Sequence, residues 1–361
     1  MKRILIRTGT GEARNAAGKA RQDADALAVR AGYEPFVFRG ARTGEGSLWG
    51  AMRLAVSGLG NWLRLIRRAE KGSIVLFQYP HYPMKSSLLA RRMIPLGQKL
   101  KGLRFIALVH DLDSLRGLHG KAAVYSDRQV LPRFDVIICH NDRMKEKLVS
   151  MGIPAEKLVP LGIFDYLTEA PGNAGGEGIA AAGNLSPEKS GYILRLAEQG
   201  TVPLHLYGKG LEGTAYEKKI RTEGSFPPEE LPGKLKGRWG LVWDGPESRT
   251  CAGLAGEYLR INNPHKLSLY MAAGLPVIIW REAALAGFVL ERGAGIAVER
   301  LDGLEKVLDG VTEEEYEGMA RAAAEVGKRV RSGGFLTEAL KEADKILRFA
   351  QDDTNKTPGI I

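Results

Sequence analysis

The stretch NNPHKLSLYMAAGLPVIIW, residues 262–280, contains one complete helix-to-strand unit. A helix is predicted to begin after Asn262-Asn263-Pro264 and to end at Gly274, since proline is favoured in the first turn of a helix and glycine just past its last turn. The apolar run VIIW follows Pro276. An apolar run without polar alternation is typical of a strand buried on both faces, as in a parallel sheet. This stretch therefore predicts one unit of an α/β fold.

The same alternation continues on both sides of this unit. β-rich runs lie at 3–7, 35–38, 73–77, 104–110 and 135–140 in the first half, and at 178–184, 202–208, 240–245, 275–280 and 293–299 in the second half. Segments 18–32 and 47–72 have helical periodicity, and Asn141 is a predicted N-cap of a helix that ends near Gly152. Strands alternating with helices predict two doubly wound parallel sheets. The Gly- and Pro-rich segment 160–178 is the predicted linker.

Composition excludes several classes of protein. The chain has 361 residues, of which 44% are hydrophobic and 26% are charged, as in ordinary globular proteins. Two cysteines, Cys139 and Cys251, are too few for a disulfide framework or a cysteine-based zinc site. The N-terminal apolar run is too short for a signal peptide, and no window resembles a membrane-spanning helix. We therefore expect a cytoplasmic protein.

Charge is distributed unevenly along the chain. Residues 1–160 hold 28 Lys and Arg against 13 Asp and Glu, a net charge of +15, whereas the rest holds 24 against 29, a net charge of −5. Such asymmetry indicates that the first half meets an anionic partner, either a phosphate-bearing substrate or an acidic membrane surface. A solvated basic surface would give the same counts. Nucleic acid is not expected, because no nucleic-acid-binding signature accompanies the charge.

Two loops of the first half carry candidate residues. The glycine-rich segment 8–23 could let backbone amides approach a phosphate, or it could be an ordinary connection; it contains neither G-x-G-x-x-G nor a P-loop. The segment VHDLDSLRG, residues 109–117, places His110, Asp111 and Asp113 after a strand. These carboxylates could bind a divalent metal, orient or deprotonate a sugar hydroxyl, or simply cap the next helix. Arg116 would keep a nearby carboxylate ionised.

The second half offers a candidate anion site at the start of the predicted helix of 262–280. Lys266, Ser268 and the free amides of the first helical turn together favour a phosphate. Asn262 and Asn263 offer donors and acceptors for sugar hydroxyls. A buried Lys266 without a ligand would be unfavourable, so we expect a ligand there. A surface lysine beside a core His265 is the alternative.

At this point the sequence resembles a known family. The stretches VHDLDSLR, DVIICHNDRMKEKL, GNLS, LYG, GLVWDG and NNPHKLSLYMAAGLPVIIW are similar to bacterial β-1,6-galactofuranosyltransferases and to glucosyltransferases that extend the O-glycans of serine-rich adhesins. The resemblance covers roughly residues 1–345. It implies a GT-B fold, in which two Rossmann-like domains face an interdomain cleft. It also implies an acceptor-side domain at 1–162, a nucleotide-sugar domain at 163–334, and a C-terminal helix that crosses back, followed by a frayed tail, at 335–361.

The resemblance also implies roles for particular residues. UDP-sugar would bind at Asn184 to Ser186 and at Pro264 to Ser268, with Lys266 on the diphosphate. The loop around Ser225 and Phe226 would lie near uracil. His110 and Asp111 would lie beside the reacting sugar, and Asn15 to Lys19 would close over the donor. The resulting set of candidates is Asn15, Gly18, Lys19, His110, Asp111, Asn184, Ser186, Ser225, Phe226, Asn263, Pro264, His265, Lys266, Leu267 and Ser268.

One departure leaves the stereochemistry open, because the glutamate pair that many GT-B enzymes carry in the donor helix is absent and Asn262 and His265 occupy that region. We expect no cofactor and no metal, since Lys266 and helix N-termini would stabilise the leaving diphosphate. Asp111 is the expected base. The expected partners are a UDP-sugar donor and an acceptor, which is a saccharide, a lipid-linked glycan or a glycoprotein. Peripheral membrane contact through the basic half and the formation of homo-oligomers stay open. The alternatives are a non-catalytic partner protein of a transferase and a UDP-sugar epimerase.

Overall fold

The computed structural model describes residues 2–8, 16–39, 48–80, 84–118, 120–173, 175–199, 202–211 and 220–356, and it contains two parallel sheets of six strands each. The first sheet consists of β1 (Arg3–Thr8), β2 (Glu34–Phe38), β3 (Ile74–Tyr79), β4 (Arg104–Val109), β5 (Val136–Cys139) and β6 (Leu158–Pro160). The second consists of β7 (Ile179–Asn184), β8 (Leu204–Lys209), β9 (Ile220–Gly224), β10 (Trp239–Val242), β11 (Val277–Trp280) and β12 (Gly295–Val298). The prediction of two doubly wound domains is confirmed.

Helices connect the strands and cover both faces of each sheet. In the first half they are α1 (Ala16–Arg30), α2 (Leu48–Arg68), α3 (Met84–Lys101), α4 (Gly120–Gln129) and α5 (Asp142–Ser150). In the second half they are α6 (Pro187–Ser190), α7 (Tyr192–Gln199), α8 (Gly253–Tyr258), α9 (His265–Ala272), α10 (Ala286–Glu291), α11 (Leu304–Asp309), α12 (Glu313–Ser332) and α13 (Gly334–Lys356). The predicted N-cap is confirmed: the Asn141 side chain accepts a hydrogen bond from the Met144 amide.

The strand order locates the ligand crevice of each sheet. The first sheet has the order β2-β1-β3-β4-β5-β6, and the second has the order β12-β11-β10-β7-β8-β9. Numbered within its own domain, the second order is 6-5-4-1-2-3, which is that of dinucleotide-binding Rossmann folds. In such sheets ligands bind beyond the carboxyl ends of the strands where the winding reverses. In the second domain this position lies between β7 and β10.

Alternation along the strands divides the core into two clusters. On β3, Ile74 and Leu76 belong to one cluster, and Val75 and Phe77 belong to the other. Successive strand side chains point to opposite faces, so each cluster marks one face of the first sheet. The cluster of Ile74 and Leu76 continues without a break into the core of the second domain. The two domains therefore share buried apolar contacts along one face.

Helix α13 forms part of that shared face. It contacts β5, β6 and α1, so it packs on the first domain although it follows the second in sequence. Its N-terminus is capped by Asp165, whose carboxylate accepts hydrogen bonds from the amides of Phe335 (3.2 Å) and Leu336 (2.7 Å). Asp344, near the middle of the helix, pairs with Arg3 of β1. Asp165 and Asp344 thus attach the N-terminal end and the middle of the helix to other parts of the fold.

The structure differs from the sequence analysis at a few elements. Strands β6 and β9 were not predicted, because β6 has three residues and β9 is a polar edge strand. The predicted frayed tail is wrong for 351–356, which continue α13. The domain boundaries fall just after β6 and at the turn between α12 and α13, and that division stays a prediction.

Candidate active site

The winding of the second sheet reverses between β7 and β10, and polar groups and glycines lie at that crevice. β7 ends with Gly183 and Asn184, and β10 is followed by Trp243, Asp244 and Gly245. Helix α9 follows in sequence and carries Lys266 in its first turn. The carboxyl ends of β7 and β10 and the start of α9 therefore surround the position at which this sheet is expected to bind a ligand.

The side chain of Lys266 is 11% exposed and reaches the residues that follow β10. Its ammonium donates hydrogen bonds to the carbonyl oxygen of Trp243 (2.8 Å) and to Oδ1 of Asp244 (2.7 Å). Burial opposes the charged form, but the Asp244 carboxylate outweighs it and raises the pKa of Lys266 above its ordinary value. Lys266 is therefore a cation. The argument that its burial would require a ligand is wrong, because Asp244 already supplies the compensating charge.

The first turn of α9 still leaves donors for a ligand. An ammonium has three N–H groups, and two of those of Lys266 are used by the bonds to Trp243 and Asp244. The N-cap Pro264 provides no side-chain cap for the amides of the first turn. Ser268 is fully buried, and its Oγ has no hydrogen-bond partner among the described residues. Leu267 is a core residue, and its amide donates to the Pro264 carbonyl oxygen (3.0 Å), so it offers no donor to a ligand.

The glycines at the ends of β7 and β8 allow close contact between the two strands. Gly208 has φ +145°, and a Cβ built on it would lie 1.9 Å from the carbonyl oxygen of Gly183. Asn184 is exposed, and its Oδ1 accepts a hydrogen bond from the Ser186 amide (2.9 Å). The side chain of Asn184 therefore shapes the turn into α6, a helix of only four residues.

The predicted uracil loop follows β9 at the edge of the sheet. Ser225 is exposed, and the ring of Phe226 is partly buried against Tyr207, with 6.3 Å between centroids. The hydroxyl of Tyr166 in the linker donates to the carbonyl oxygen of Pro228. Contacts with the second domain and with the linker thus position this loop, and Phe226 contributes to packing.

His110 lies at the end of β4 and is neutral. Its Nε2 is 2.6 Å from Oε1 of Gln78. The Gln78 amide nitrogen donates to Oδ1 of Asp25 and to the carbonyl oxygen of Arg21, so Oε1 is the acceptor and His110 carries its proton on Nε2. Burial, followed by the charge of Arg21, holds the pKa of His110 well below its usual value.

Asp111 follows β4, and its carboxyl group has a raised pKa. Burial raises the pKa of Asp111 to about 6, while Arg116, at 2.8 Å, lowers it and the neighbouring Asp113 raises it. Lys189 of α6, in the second domain, also lowers it, so the two domains are electrostatically coupled across the cleft. Within the described ranges, no three metal-binding side chains form a cluster that could hold an ion. Metal independence stays a prediction.

The donor-closing segment of the first domain is only partly described. Asn15 lies outside the described residues. Gly18 and Lys19 are in the first turns of α1, and the Lys19 ammonium bonds to Oδ1 of Asp23 (2.6 Å) and to the carbonyl oxygen of Leu167 in the linker (2.5 Å). In this conformation Lys19 therefore connects the first domain to the linker.

Three residues, His140, Asn141 and Asn263, form what we call the interdomain clasp. The Asn263 amide donates to Nδ1 of His140 (2.9 Å), and its side-chain nitrogen donates to the His140 carbonyl oxygen (2.7 Å). The Asn141 side-chain nitrogen donates to Oδ1 of Asn263 (2.7 Å). Because Nδ1 accepts, the His140 proton lies on Nε2, which bonds to the His110 carbonyl oxygen (3.0 Å). Burial lowers the pKa of His140 to about 3. The clasp therefore consists of neutral groups.

Phe164 of the linker lies among three imidazole rings. It stacks parallel to His110, with 5.6 Å between centroids, and meets His140 edge-on at 4.9 Å. The ring of His265 lies 6.2 Å away from Phe164 and 5.1 Å from Tyr166. Burial lowers the pKa of His265 to about 4. The linker thus brings residues of both domains around one buried ring.

The structure brings His110, Asp111, Lys19, Asn263 and His265 to the interdomain region. Lys266, Asn184 and Ser186 lie around the crevice of the second sheet, whereas Ser225 and Phe226 are at its edge. Sequence reasoning missed several contributors: Gln78, Phe164, Lys189, Asp244 and Tyr258, whose hydroxyl accepts a hydrogen bond from the Leu112 amide. Asp244 directly follows a strand within GLVWDG, a position that could have identified it.

Comparison with known proteins identifies the family of the chain. The family models described as glucosyltransferase 3-like, N-terminal domain and C-terminal domain, match residues 2–163 and 179–343. The β-1,6-galactofuranosyltransferase WbbI of Escherichia coli (strain K12) is 30% identical over 336 residues, which cover 91% of this chain and 94% of that protein. Glucosyltransferase 3 of Streptococcus gordonii is 24% identical over 250 residues, 68% of this chain and 72% of its own length.

Solved structures show the same fold at low sequence identity. HepE of Anabaena in complex with UDP and glucose has a TM-score of 0.58 and 12% identity, covering 98% of this chain and all of that one (100%). A glycosyltransferase from Rickettsia africae has a TM-score of 0.57 and 11% identity, covering 96% of this chain and 99% of its own. The fold is GT-B. With both family models matched along the chain, this protein belongs to the glucosyltransferase 3-like family of glycosyltransferases.

Proposed function

We propose that the protein transfers a hexose, either glucose or galactose in its pyranose or furanose form, from a UDP-sugar to a glycan, glycolipid or glycoprotein acceptor. The names of the relatives support a hexosyl transfer, and the complex of HepE with UDP and glucose supports a UDP-linked donor in this fold. The donor binds mainly to the second domain, between the ends of β7 and β10. The acceptor approaches from the first domain.

One observation carries the proposal. A buried cation, Lys266, lies at the crevice of the second sheet, and a carboxylate with a pKa of about 6, Asp111, lies at the edge of the first sheet. The amide of Leu112, next to Asp111, donates to the hydroxyl of Tyr258 in the second domain (2.9 Å), so the first domain meets the second beside Asp111. A nucleotide-sugar needs a cation for its diphosphate, and a sugar acceptor needs a base for its hydroxyl.

The reaction would then proceed by charge stabilisation. The bond between the anomeric carbon and the diphosphate oxygen breaks, and its electron pair stays on UDP. Lys266, oriented by Asp244, stabilises that charge together with the amides at the start of α9. A new bond forms from the acceptor oxygen to the anomeric carbon, and the hydroxyl proton passes to Asp111. This assignment of the base applies to an inverting reaction.

Thermal unfolding with and without nucleotides tests the donor site. UDP at about 100 times its dissociation constant should stabilise the protein by about 2.7 kcal/mol, whereas GDP, ADP and dTDP should not. A shift in the unfolding temperature that survives EDTA would support metal independence. A shift that requires a divalent cation would indicate that a metal ion held by Asp111 and Asp113 binds the diphosphate. The absence of any response would contradict the donor site and favour a non-catalytic partner protein.

Turnover distinguishes the remaining alternatives. UDP-glucose, UDP-galactopyranose and UDP-galactofuranose should be consumed faster in the presence of an acceptor glycan, and Asp111→Asn should abolish that acceleration. The matched control is Asp142→Asn, at the exposed first turn of α5. Interconversion of UDP-sugars without any acceptor would instead identify an epimerase.

A further inference from the structure

Helix α2 has an apolar face that the fold leaves exposed. Its members are Met52, Val56, Leu59 and Leu63, which are 53%, 67%, 40% and 49% exposed. At 100° per residue, their spacing places all four within an arc of about 60°. A different face of α2, with Trp62, Leu65 and Ile66, packs on the first sheet. Packing within the domain therefore does not account for these four residues, which we call the α2 stripe.

Arginines line one side of the α2 stripe. They are Arg53, Arg64, Arg67 and Arg68 of α2, with Arg39 just after β2. Arg64 bonds to the Val37 carbonyl oxygen and lies 4.9 Å from the ring centroid of Phe36. In the described ranges, none of the five forms an ion pair with an acidic side chain, whereas about half of the other described arginines do. Mutual repulsion among them favours an anionic partner.

The position of α2 relates the stripe to the cleft. The helix follows β2, and the carboxyl ends of the strands face the cleft, so its N-terminal end lies at the cleft edge of the first domain. The stripe begins near that end and extends about 16 Å along the helix. A flat partner that covers the stripe would therefore lie beside the opening through which an acceptor enters.

We propose that the α2 stripe and its arginines dock this protein onto an anionic lipid bilayer. An apolar face with a cationic border is the pattern of a helix that lies in a membrane interface, its apolar residues among the acyl chains and its arginines at the lipid phosphates. A second copy of the chain is a poorer partner, because an antiparallel two-fold contact through this face would place the two sets of arginines side by side, and a parallel one would leave both without an anionic partner. Among the described helices, none is long and apolar enough to cross a membrane.

Co-sedimentation of the full chain with vesicles tests the proposal. The protein should bind vesicles of phosphatidylglycerol and phosphatidylcholine in equal parts, bind vesicles of phosphatidylcholine alone far less, and dissociate as salt is added. Arg67→Gln together with Arg68→Gln should lower partitioning roughly thirtyfold, since each basic residue near such a surface contributes about 1 kcal/mol. The assay needs no sugar donor, so its outcome is independent of the proposed transferase activity.

The apolar contribution is tested separately. Val56→Gln with Leu63→Gln should lower partitioning at least tenfold. The matched control is Leu290→Gln with Val307→Gln, which changes equally exposed residues on α10 and α11 of the second domain and should bind as the wild type does. Unchanged thermal unfolding midpoints would show that all variants fold.

Three results would overturn the proposal. The first is no binding of the wild type to anionic vesicles. The second is equal binding by the stripe variant and the wild type, or an equal loss in the control. The third is a dimer in sedimentation velocity that the stripe variant converts to a monomer without vesicle binding, which would assign the stripe to a second copy of the chain.

Discussion

The buried pair of Lys266 and Asp244 allows a test that separates folding from donor binding. Lys266→Met keeps the length of the side chain but leaves the Asp244 carboxylate buried without its cation. Asp244 is 4% exposed, so water cannot replace the lost charge. Breaking a buried pair from one side costs about 3–5 kcal/mol. We therefore expect Lys266→Met to lower the free energy of unfolding by an amount of that order.

The double variant is expected to recover much of this loss. In Lys266→Met with Asp244→Asn both charges are gone, and two neutral groups of similar volume remain. Removing a buried pair as a whole is often close to neutral. Urea unfolding of the wild type, both single variants and the double variant gives the coupling energy of the pair. Lys328→Met with Glu325→Gln, an exposed pair at 2.7 Å, is the control and should show little coupling.

The same double variant then tests the role of Lys266 in transfer. If it folds with nearly wild-type stability, a loss of about 10²–10³ in kcat would reflect the missing charge on the leaving diphosphate. Wild-type transfer by a stable double variant would refute that role. An unchanged urea midpoint for Lys266→Met alone would refute the buried pair itself.

Three further predictions concern other parts of the cleft. In the wild type, kcat/KM should rise as the pH increases through about 6, because Asp111 then loses its proton. If Asp111→Asn leaves the dependence of kcat/KM on pH unchanged, Asp111 is not the base. Burial raises the pKa of Asp165 to about 7 from 3.8, so the folded state binds more protons than the unfolded state, and the free energy of unfolding should fall as pH rises from about 4 to 7. In urea unfolding this fall should be smaller for Asp165→Asn than for the wild type. An equal dependence on pH in the two proteins would count against this assignment. Phe164→Ala should cost about 3–5 kcal/mol in urea unfolding, whereas Phe349→Ala, at a 72% exposed position, should cost little, and equal losses would argue against a special role for the linker ring.

The sequence was sufficient for the architecture because its signals are local. The apolar run VIIW at 277–280, rich in β-branched residues and preceded by Gly and Pro, forms a strand, and Asn141 caps the helix that directly follows it. Strands β6 and β9 were missed because they lack such a local signal. A three-residue strand and a polar edge strand carry little local pattern, and they form by pairing with an existing neighbour.

The candidate site was less predictable because its contacts are distant in sequence. Lys266 could be identified from its place after Asn-Asn-Pro, but its partner Asp244 lies 22 positions earlier. Asn263 bonds to His140 across 123 positions. Phe164 was assigned to a linker because it lies in a segment without periodicity, and its role depends on three imidazole rings, two that follow β4 and β5 and one at the start of α9. The sequence shows which side chains follow strands, whereas their pairing depends on how the domains meet.

The neutrality of the interdomain clasp has a consequence for how the enzyme would respond to its surroundings. His140, Asn141 and Asn263 join the domains through uncharged hydrogen bonds, so salt should scarcely affect these contacts. The exposed arginines beside the α2 stripe are the groups that salt would screen, whereas burial protects the pair of Lys266 and Asp244. Ionic strength should therefore change how much membrane the protein captures, while the hydrogen bonds of the clasp keep their strength.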